Sequence, residues 1–157
     1  LPAGPLREPL GRLATVDAII CNNLKGFRPA DVPTFDMALR PGVFYRLGNP
    51  QQTCTAGSLK ARGALHALAG IGNPARFFQT LASLGLACEN HPFPDHHRYS
   101  SADLAFAKDG ILLMTEKDAV KCAGLTVGET WVLPVEAELS PALIELILEK
   151  LRGRQAA

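Results

Sequence analysis

The sequence predicts an α/β fold whose sheet is mainly parallel, and three observations carry that prediction. From Ala64 onward, short apolar runs alternate with helical stretches in strand–loop–helix order. Strands joined by helical crossovers lie parallel, with the helices on the faces of the sheet. Each apolar run is short and bounded by Gly, Pro or Asn, as strands of a buried sheet are. Finally, 47% of the 157 residues are apolar, enough for a globular core.

The elements follow in order. LPAGPLREPLGR, punctuated by Pro and Gly, reads as a loop entering a short turn or helix. Val16–Cys21 (VDAIIC) is the compact run of a buried strand, and residues 22–33 are polar and irregular. In PTFDMALRPGVFYRL, strands Thr34–Leu39 and Val43–Leu47 flank Arg40-Pro41-Gly42. Phe35, Met37 and Leu39 alternate with other residues at the period of a half-buried hairpin. Gly48–Gly63, with Asn-Pro, Gln-Gln and Gly-Ser, reads as an irregular connection between two bodies.

Beyond it, LHALAG is a strand and Ala75–Leu84 a helix, with Phe77, Leu81 and Leu84 at i, i+4 and i+7. Asn73 caps that helix, and Pro74 takes its first position, where no amide hydrogen is needed. Leu86–Asn90 is the second strand of this series, followed by the loop HPFPDHHRY. Ser100, with Asp103 three residues on, opens a helix by a capping-box variant. Ile111–Met114 is the third strand, and Thr115 with Asp118 repeats the cap before Ala119–Cys122. Thr130–Leu133 is the fourth. Ser140-Pro141 opens an amphipathic helix with Leu143, Ile144, Ile147, Leu148 and Leu151 on one stripe.

Composition excludes several classes. The net charge of +1 divides into +4 over residues 1–62 and −3 over residues 63–157. That split fits two units with different tasks, the basic one nearer phosphates or an anionic surface, and fits equally an unevenly charged solvated surface. Cys21, Cys54, Cys88 and Cys122 lie more than thirty residues apart, without the paired spacing of a structural zinc site or a disulfide framework. No apolar run approaches the ~20 residues that span a bilayer. The chain begins at Leu1-Pro2 within a loop, and so reads as truncated. There is no G-x-x-x-x-G-K-[ST] phosphate loop, no metalloprotease or nucleophile-elbow pattern, and no basic, aromatic-interleaved surface for nucleic acid.

In parallel sheets, ligands gather beyond the carboxyl ends of strands. Three polar loops fall there: GIGN at 70–73, PDHH at 94–97 and TEKD at 115–118. Asp95-His96-His97 is the densest ionisable cluster. Its histidines can act as base, acid, charge partner or ligand near neutral pH, or the loop simply satisfies its own backbone. Thr115, Glu116 and Lys117 open a helix whose amino end favours anions, and the same residues serve equally as a cap and first-turn charges. Gly70-Ile71-Gly72-Asn73 lacks the third glycine of a dinucleotide fingerprint. Arg7 beside Glu8 offers a guanidinium suited to phosphate, or an ordinary surface pair. His66 and His91 read as core or edge residues.

Several stretches in order, LPAGPLREPLGRL, AGIGNPARFF, HPFPDHHRYSSADL, LLMTEKDAVKC and WVLPVEAEL, resemble the tetraacyldisaccharide 4′-kinases of lipid A biosynthesis. The resemblance covers nearly the whole chain. It implies transfer of the γ-phosphate of ATP, as its Mg2+ complex, to the 4′-hydroxyl of an acylated disaccharide 1-phosphate at the cytoplasmic face of the bacterial inner membrane. It also implies two α/β bodies joined by a β-ribbon, the larger one carrying the P-loop and a membrane-contacting helix. On that pattern, residues 1–33 are the tail of the P-loop kinase domain, 34–63 the ribbon linker and 64–157 a Rossmann-like carboxy-terminal domain.

His96 matches the family histidine that approaches the catalytic aspartate of the other body and helps poise it, and Asp95 orients His96. Arg7 and Glu8 match a loop bordering the cleft, while Thr115, Glu116 and Lys117 line the site. The phosphate-binding lysine, the P-loop hydroxyl, the magnesium carboxylates and the aspartate base match nothing in this chain. ATP and Mg2+ are therefore expected to be held mainly outside it, and the chain alone is expected to be inactive. Two alternatives remain from the residues themselves. One is a non-catalytic ligand-binding or regulatory domain; the other is a metal phosphoesterase using Asp95, His96 and His97.

Overall fold

In the computed structural model, residues 8–22, 26, 31–125 and 128–154 are described. Their contacts form two compact units, residues 1–40 with 136–157, and residues 41–135. This division by contacts cuts across the three segments read from the sequence.

In the first unit a 3-10 helix at Leu10–Thr15 precedes β1 (Ile19–Asn22), which pairs in parallel with β2 (Thr34–Pro41). The strand expected at Val16–Cys21 thus starts three residues later. It alternates, with Ile19 and Cys21 buried and Ile20 exposed.

The second unit holds a six-stranded sheet. It begins with β3 (Phe44–Arg46), β4 (Asn49–Cys54) and the short helix α1 (Ala56–Lys60). It continues through β5 (Leu65–Ala69), α2 (Pro74–Ser83), β6 (Glu89–Pro92), β7 (Ile111–Thr115), α3 (Glu116–Cys122) and β8 (Glu129–Leu133). The order is β4-β3-β8-β7-β5-β6. The β8–β7, β7–β5 and β5–β6 pairs are parallel, and the β3–β4 and β3–β8 pairs antiparallel. This is the expected α/β fold, with a mostly parallel sheet flanked by helices.

One face of the sheet packs Leu65, Ala67, Leu113, Trp131 and Leu133 with Phe77 and Leu81 of α2; the other packs Leu68, Leu112, Met114 and Val132 with Ala119 and Cys122 of α3. Central strands covered on both faces read as continuous apolar runs, which is why these were legible.

The chain returns to the first unit through β9 (Val135–Leu139), which lies beside β2 in the order β1-β2-β9. Arg40 Nε binds Glu138 Oε2 across that pair at 2.6 Å. The last helix, α4 (Pro141–Arg154), buries Leu143, and Lys150 pairs with Asp17.

Several expectations need correction. β2 and β3 do not form a hairpin: β2 pairs with β1 and β9, while β3 pairs with β4 and β8. Arg40-Pro41-Gly42 therefore closes no hairpin, and the amide of Gly42 bonds to Pro134 O at 2.9 Å. Gly48–Gly63 is not irregular but contains β4 and α1. Strand β4 (NPQQTC) is exposed at every position except Cys54, so no apolar alternation marks it.

The strand expected at Leu86–Asn90 runs from Glu89 to Pro92, because Leu86 belongs to the end of α2. Gly85 takes φ +78, its amide bonds to Ala82 O and that of Leu86 to Leu81 O, a Schellman closure that buries Leu86 beside Leu81. Ser100 and Asp103 do form their reciprocal cap (Ser100 Oγ to Asp103 Oδ2, 2.7 Å), but turns and a 3-10 segment at Ala105–Ala107 follow, not an α-helix. On α4 only Leu143 of the apolar stripe is buried; Ile144, Ile147, Leu148 and Leu151 are exposed. Among the described residues no helix is long and apolar enough to cross a membrane.

Candidate functional site

Strands β5, β6 and β7 run parallel, so the segments leaving their carboxyl ends emerge on one edge of the sheet. They are linked there by a buried carboxylate. Asp118, with no accessible surface, enters the first turn of α3 behind Thr115, whose hydroxyl accepts the Asp118 amide (3.2 Å) and donates to Asp118 Oδ2 (2.7 Å). The Gly70 amide donates to the same oxygen at 3.1 Å. On the other oxygen, Oδ1, the Tyr99 hydroxyl donates at 3.0 Å and Lys121 Nζ at 3.1 Å. Lys121 also donates to Gly70 O at 3.0 Å. One side chain thus joins the loop after β5, the loop after β6 and the start of α3.

Glycine is required at position 70, because a Cβ there would lie 2.3 Å from the Tyr99 hydroxyl. Burial, followed by the nearby Asp118 carboxylate, pushes Tyr99 far above the ordinary phenol range, which keeps its hydroxyl a donor. The same two causes push the Cys122 thiol up to about 11.

Outside this hub, at the solvent rim, lie Asp95 and His96. His96 has φ +62, in the left-handed region where His, Asn and Asp are enriched among non-glycine residues. The Asp95 side chain supports the turn, as Oδ1 accepts the His96 amide at 3.0 Å. Lys117 Nζ donates to the same oxygen at 2.7 Å. That hydrogen bond is the main reason the Asp95 carboxyl sits below the usual carboxylate range, with the His96 charge adding to it. The His96 imidazole is 81% exposed, with Nε2 3.6 Å from Asp95 Oδ2.

The structure therefore brings together Asp95, His96 and Lys117. Thr115 serves chiefly as the cap that holds Asp118, and Glu116 Oε2 accepts the Val135 amide at 3.4 Å. Glu8 belongs to the other compact unit, where it pairs with Arg12 Nε at 3.1 Å. Arg7 lies outside the described residues. His97 turns away from Asp95: its ring lies 4.9 Å from Phe93 and 5.0 Å from Tyr99, and its Nε2 is 3.5 Å from Asp103 Oδ2.

Asp118, Tyr99 and Lys121 were missed as a group. The Thr115/Asp118 cap was a visible signal, but the link to Tyr99 depends on strand register.

The Gly70 amide is committed to Asp118, and Asp95 is committed to Lys117 and its own turn, so no carboxylate pair converges on a magnesium position here.

The protein is thus an α/β body with a buried polar hub and an exposed imidazole at the carboxyl edge of its sheet, the edge at which parallel sheets commonly bind ligands. The chain belongs to the tetraacyldisaccharide-1-P 4′-kinase (LpxK) family, whose sequence model matches residues 1–152. The tetraacyldisaccharide 4′-kinase of Dechloromonas aromatica is 70% identical over all of this chain and 47% of that protein's length. That of Methylobacillus flagellatus is 48% identical over 96% of the chain and 44% of its own length. Among solved structures, LpxK from Aquifex aeolicus, crystallised in complex with ATP, matches with a TM-score of 0.72 and 30% identity. The match covers 95% of this chain and 47% of that one. The chain thus spans about half the length of the relatives it matches.

Proposed function

We propose that the protein carrying this chain transfers the γ-phosphate of ATP to the 4′-hydroxyl of a tetraacyldisaccharide 1-phosphate, and that this chain contributes His96 to the active centre. The observation that carries the reading is the exposed His96 imidazole, held by a left-handed turn and an Asp95–Lys117 pair on a family-matched loop.

Abstraction of a proton from a sugar hydroxyl needs a carboxylate held in one orientation and protonation state. An imidazole N–H presented at the rim donates a hydrogen bond to such a carboxylate on a facing body. Asp95 restrains the ring from behind, and Lys117 keeps Asp95 ionised and fixed. Lys117, Thr115 and Glu116 line this edge, and Arg7 and Glu8 border the cleft. The residues described here do not fit the triphosphate or Mg2+, so both are assigned to the P-loop body. Residues 1–33 continue that body, 34–63 correspond to the ribbon and 64–157 to the second domain. The enzyme works peripherally at the cytoplasmic face of the inner membrane.

Asp95, His96 and His97 form no metal-binding group among the described residues, so the geometry does not favour the phosphoesterase alternative. Incubated with MgATP and the acceptor, the 157-residue chain is expected to yield no 4′-phosphate, whereas the full-length protein does. Turnover by the chain alone would refute this division of labour.

A further inference from the structure

His66 and His91 lack metal-type spacing in the sequence, but strand register gives them a common ligand set. In the parallel β5–β6 pair, His66 lies opposite Glu89 and Leu68 opposite His91. Residues two apart share a face of the sheet, so His66, Glu89 and His91 share one face at the β6 edge.

Their donor atoms converge. His66 Nδ1 is 3.2 Å from His91 Nε2 and 3.5 Å from Glu89 Oε2, and His91 Nε2 is 3.8 Å from Glu89 Oε1. Ligands held tetrahedrally at about 2.0–2.1 Å from Zn2+ stand about 3.3–3.4 Å apart, so the three groups are already near ligand spacing. A hydrogen bond between the imidazoles accounts for the first distance but not for a carboxylate placed against both nitrogens.

The rings are also held in place. His91 stacks on Phe106 with centroids 3.6 Å apart and planes 14° from parallel. His66 backs onto Gly110, where a Cβ would come within 2.8 Å of its Cδ2. Both imidazoles are largely buried, whereas Glu89 is 69% exposed, leaving the mouth open to solvent.

We propose that His66, His91 and Glu89 form a binding site for a divalent transition-metal ion of the zinc class, with solvent in the remaining position. Two imidazoles and one carboxylate suit zinc and its neighbours, whereas magnesium and calcium prefer all-oxygen sets. The ion ties edge strand β6 to β5. Because β6 leads directly into the Asp95-His96 turn, the site braces that turn from the sheet side.

The test is zinc binding by the full-length protein, measured by calorimetry, with cobalt substitution read by its electronic spectrum. Wild type is expected to bind one Zn2+ that Glu89→Gln and His91→Gln each weaken at least about 10-fold, the size of effect seen when even outer-shell partners are lost. Zinc is expected to raise the melting temperature of wild type clearly more than that of either variant. Glu89→Gln, at a mostly exposed position, is expected to melt as wild type does in chelator, which separates ligation from folding. Wild-type affinity in Glu89→Gln, no zinc binding by wild type, or a cobalt spectrum dominated by thiolate charge transfer would overturn the assignment.

Discussion

Replacement of Asp118 by Asn is the sharpest probe of the hub, because it changes one atom and preserves shape. The carboxylate accepts from four external groups, two on each oxygen: Tyr99 and Lys121 on one, Gly70 and Thr115 on the other. An asparagine retains one acceptor oxygen and presents two N–H donors on the other side. With its amide nitrogen towards Oδ1, the Lys121 ammonium faces a donor. With it towards Oδ2, the Gly70 backbone N–H does.

The Tyr99 and Thr115 hydroxyls can rotate to accept, but the ammonium and the backbone amide cannot. With the nitrogen towards Oδ2 the buried Gly70 amide is left without an acceptor, at about 1–3 kcal/mol. With it towards Oδ1, Lys121 keeps its bond to Gly70 O but loses its ion-pair partner and faces an N–H. Both orientations weaken the remaining bonds by removing the charge. The expected loss is about 2–4 kcal/mol, or roughly 10–30 °C in melting temperature for a body of this size. Urea unfolding of the full-length protein, followed by circular dichroism, measures it. A loss below about 1 kcal/mol would refute the four-donor reasoning.

Two further outcomes follow from the same geometry. Glu129 sits below the ordinary carboxyl value of 4.5, chiefly because it accepts the Trp131 indole N–H at 2.8 Å, with Arg62 and Arg46 adding to it. A depressed carboxyl stabilises the fold above its unfolded pKa and loses that contribution as pH falls through its folded pKa. The stability gap between wild type and Glu129→Gln should therefore be constant near neutrality and shrink below about pH 4.5; urea titrations that show it widening on acidification would contradict this. Asn73→Ala removes the cap that accepts the Arg76 amide at 3.3 Å and should cost about 1 kcal/mol in the same assay, whereas an unchanged midpoint would show the cap to be idle.

The parts of the fold legible in the sequence are those where local chemistry and burial agree. Leu65–Ala69, Ile111–Thr115 and Glu129–Leu133 are apolar runs because both faces of the sheet are covered. The Asn73-Pro74 and Thr115/Asp118 signals mark real caps. Strands β4 and β9 were not legible: NPQQTC and VEAEL are almost wholly exposed, so their backbone pairing leaves no periodic trace. The missing hairpin has the same origin, since alternation in Phe35, Met37 and Leu39 reports a half-buried strand but not its partner. At the site, alternation of strands and helices sufficed to place three loops on one edge. The Tyr99–Asp118 bond, nineteen residues apart in sequence, and the His66–His91 approach both depend on register, which residue types do not encode.

The most direct test of the central claim is steady-state kinetics of His96→Ala in the full-length protein, with ATP and acceptor varied separately. An imidazole that poises the base acts on the chemical step. kcat should fall at least about 10-fold while KM for ATP stays within about twofold of wild type. A wild-type kcat, or a change confined to KM, would contradict the role given to this rim.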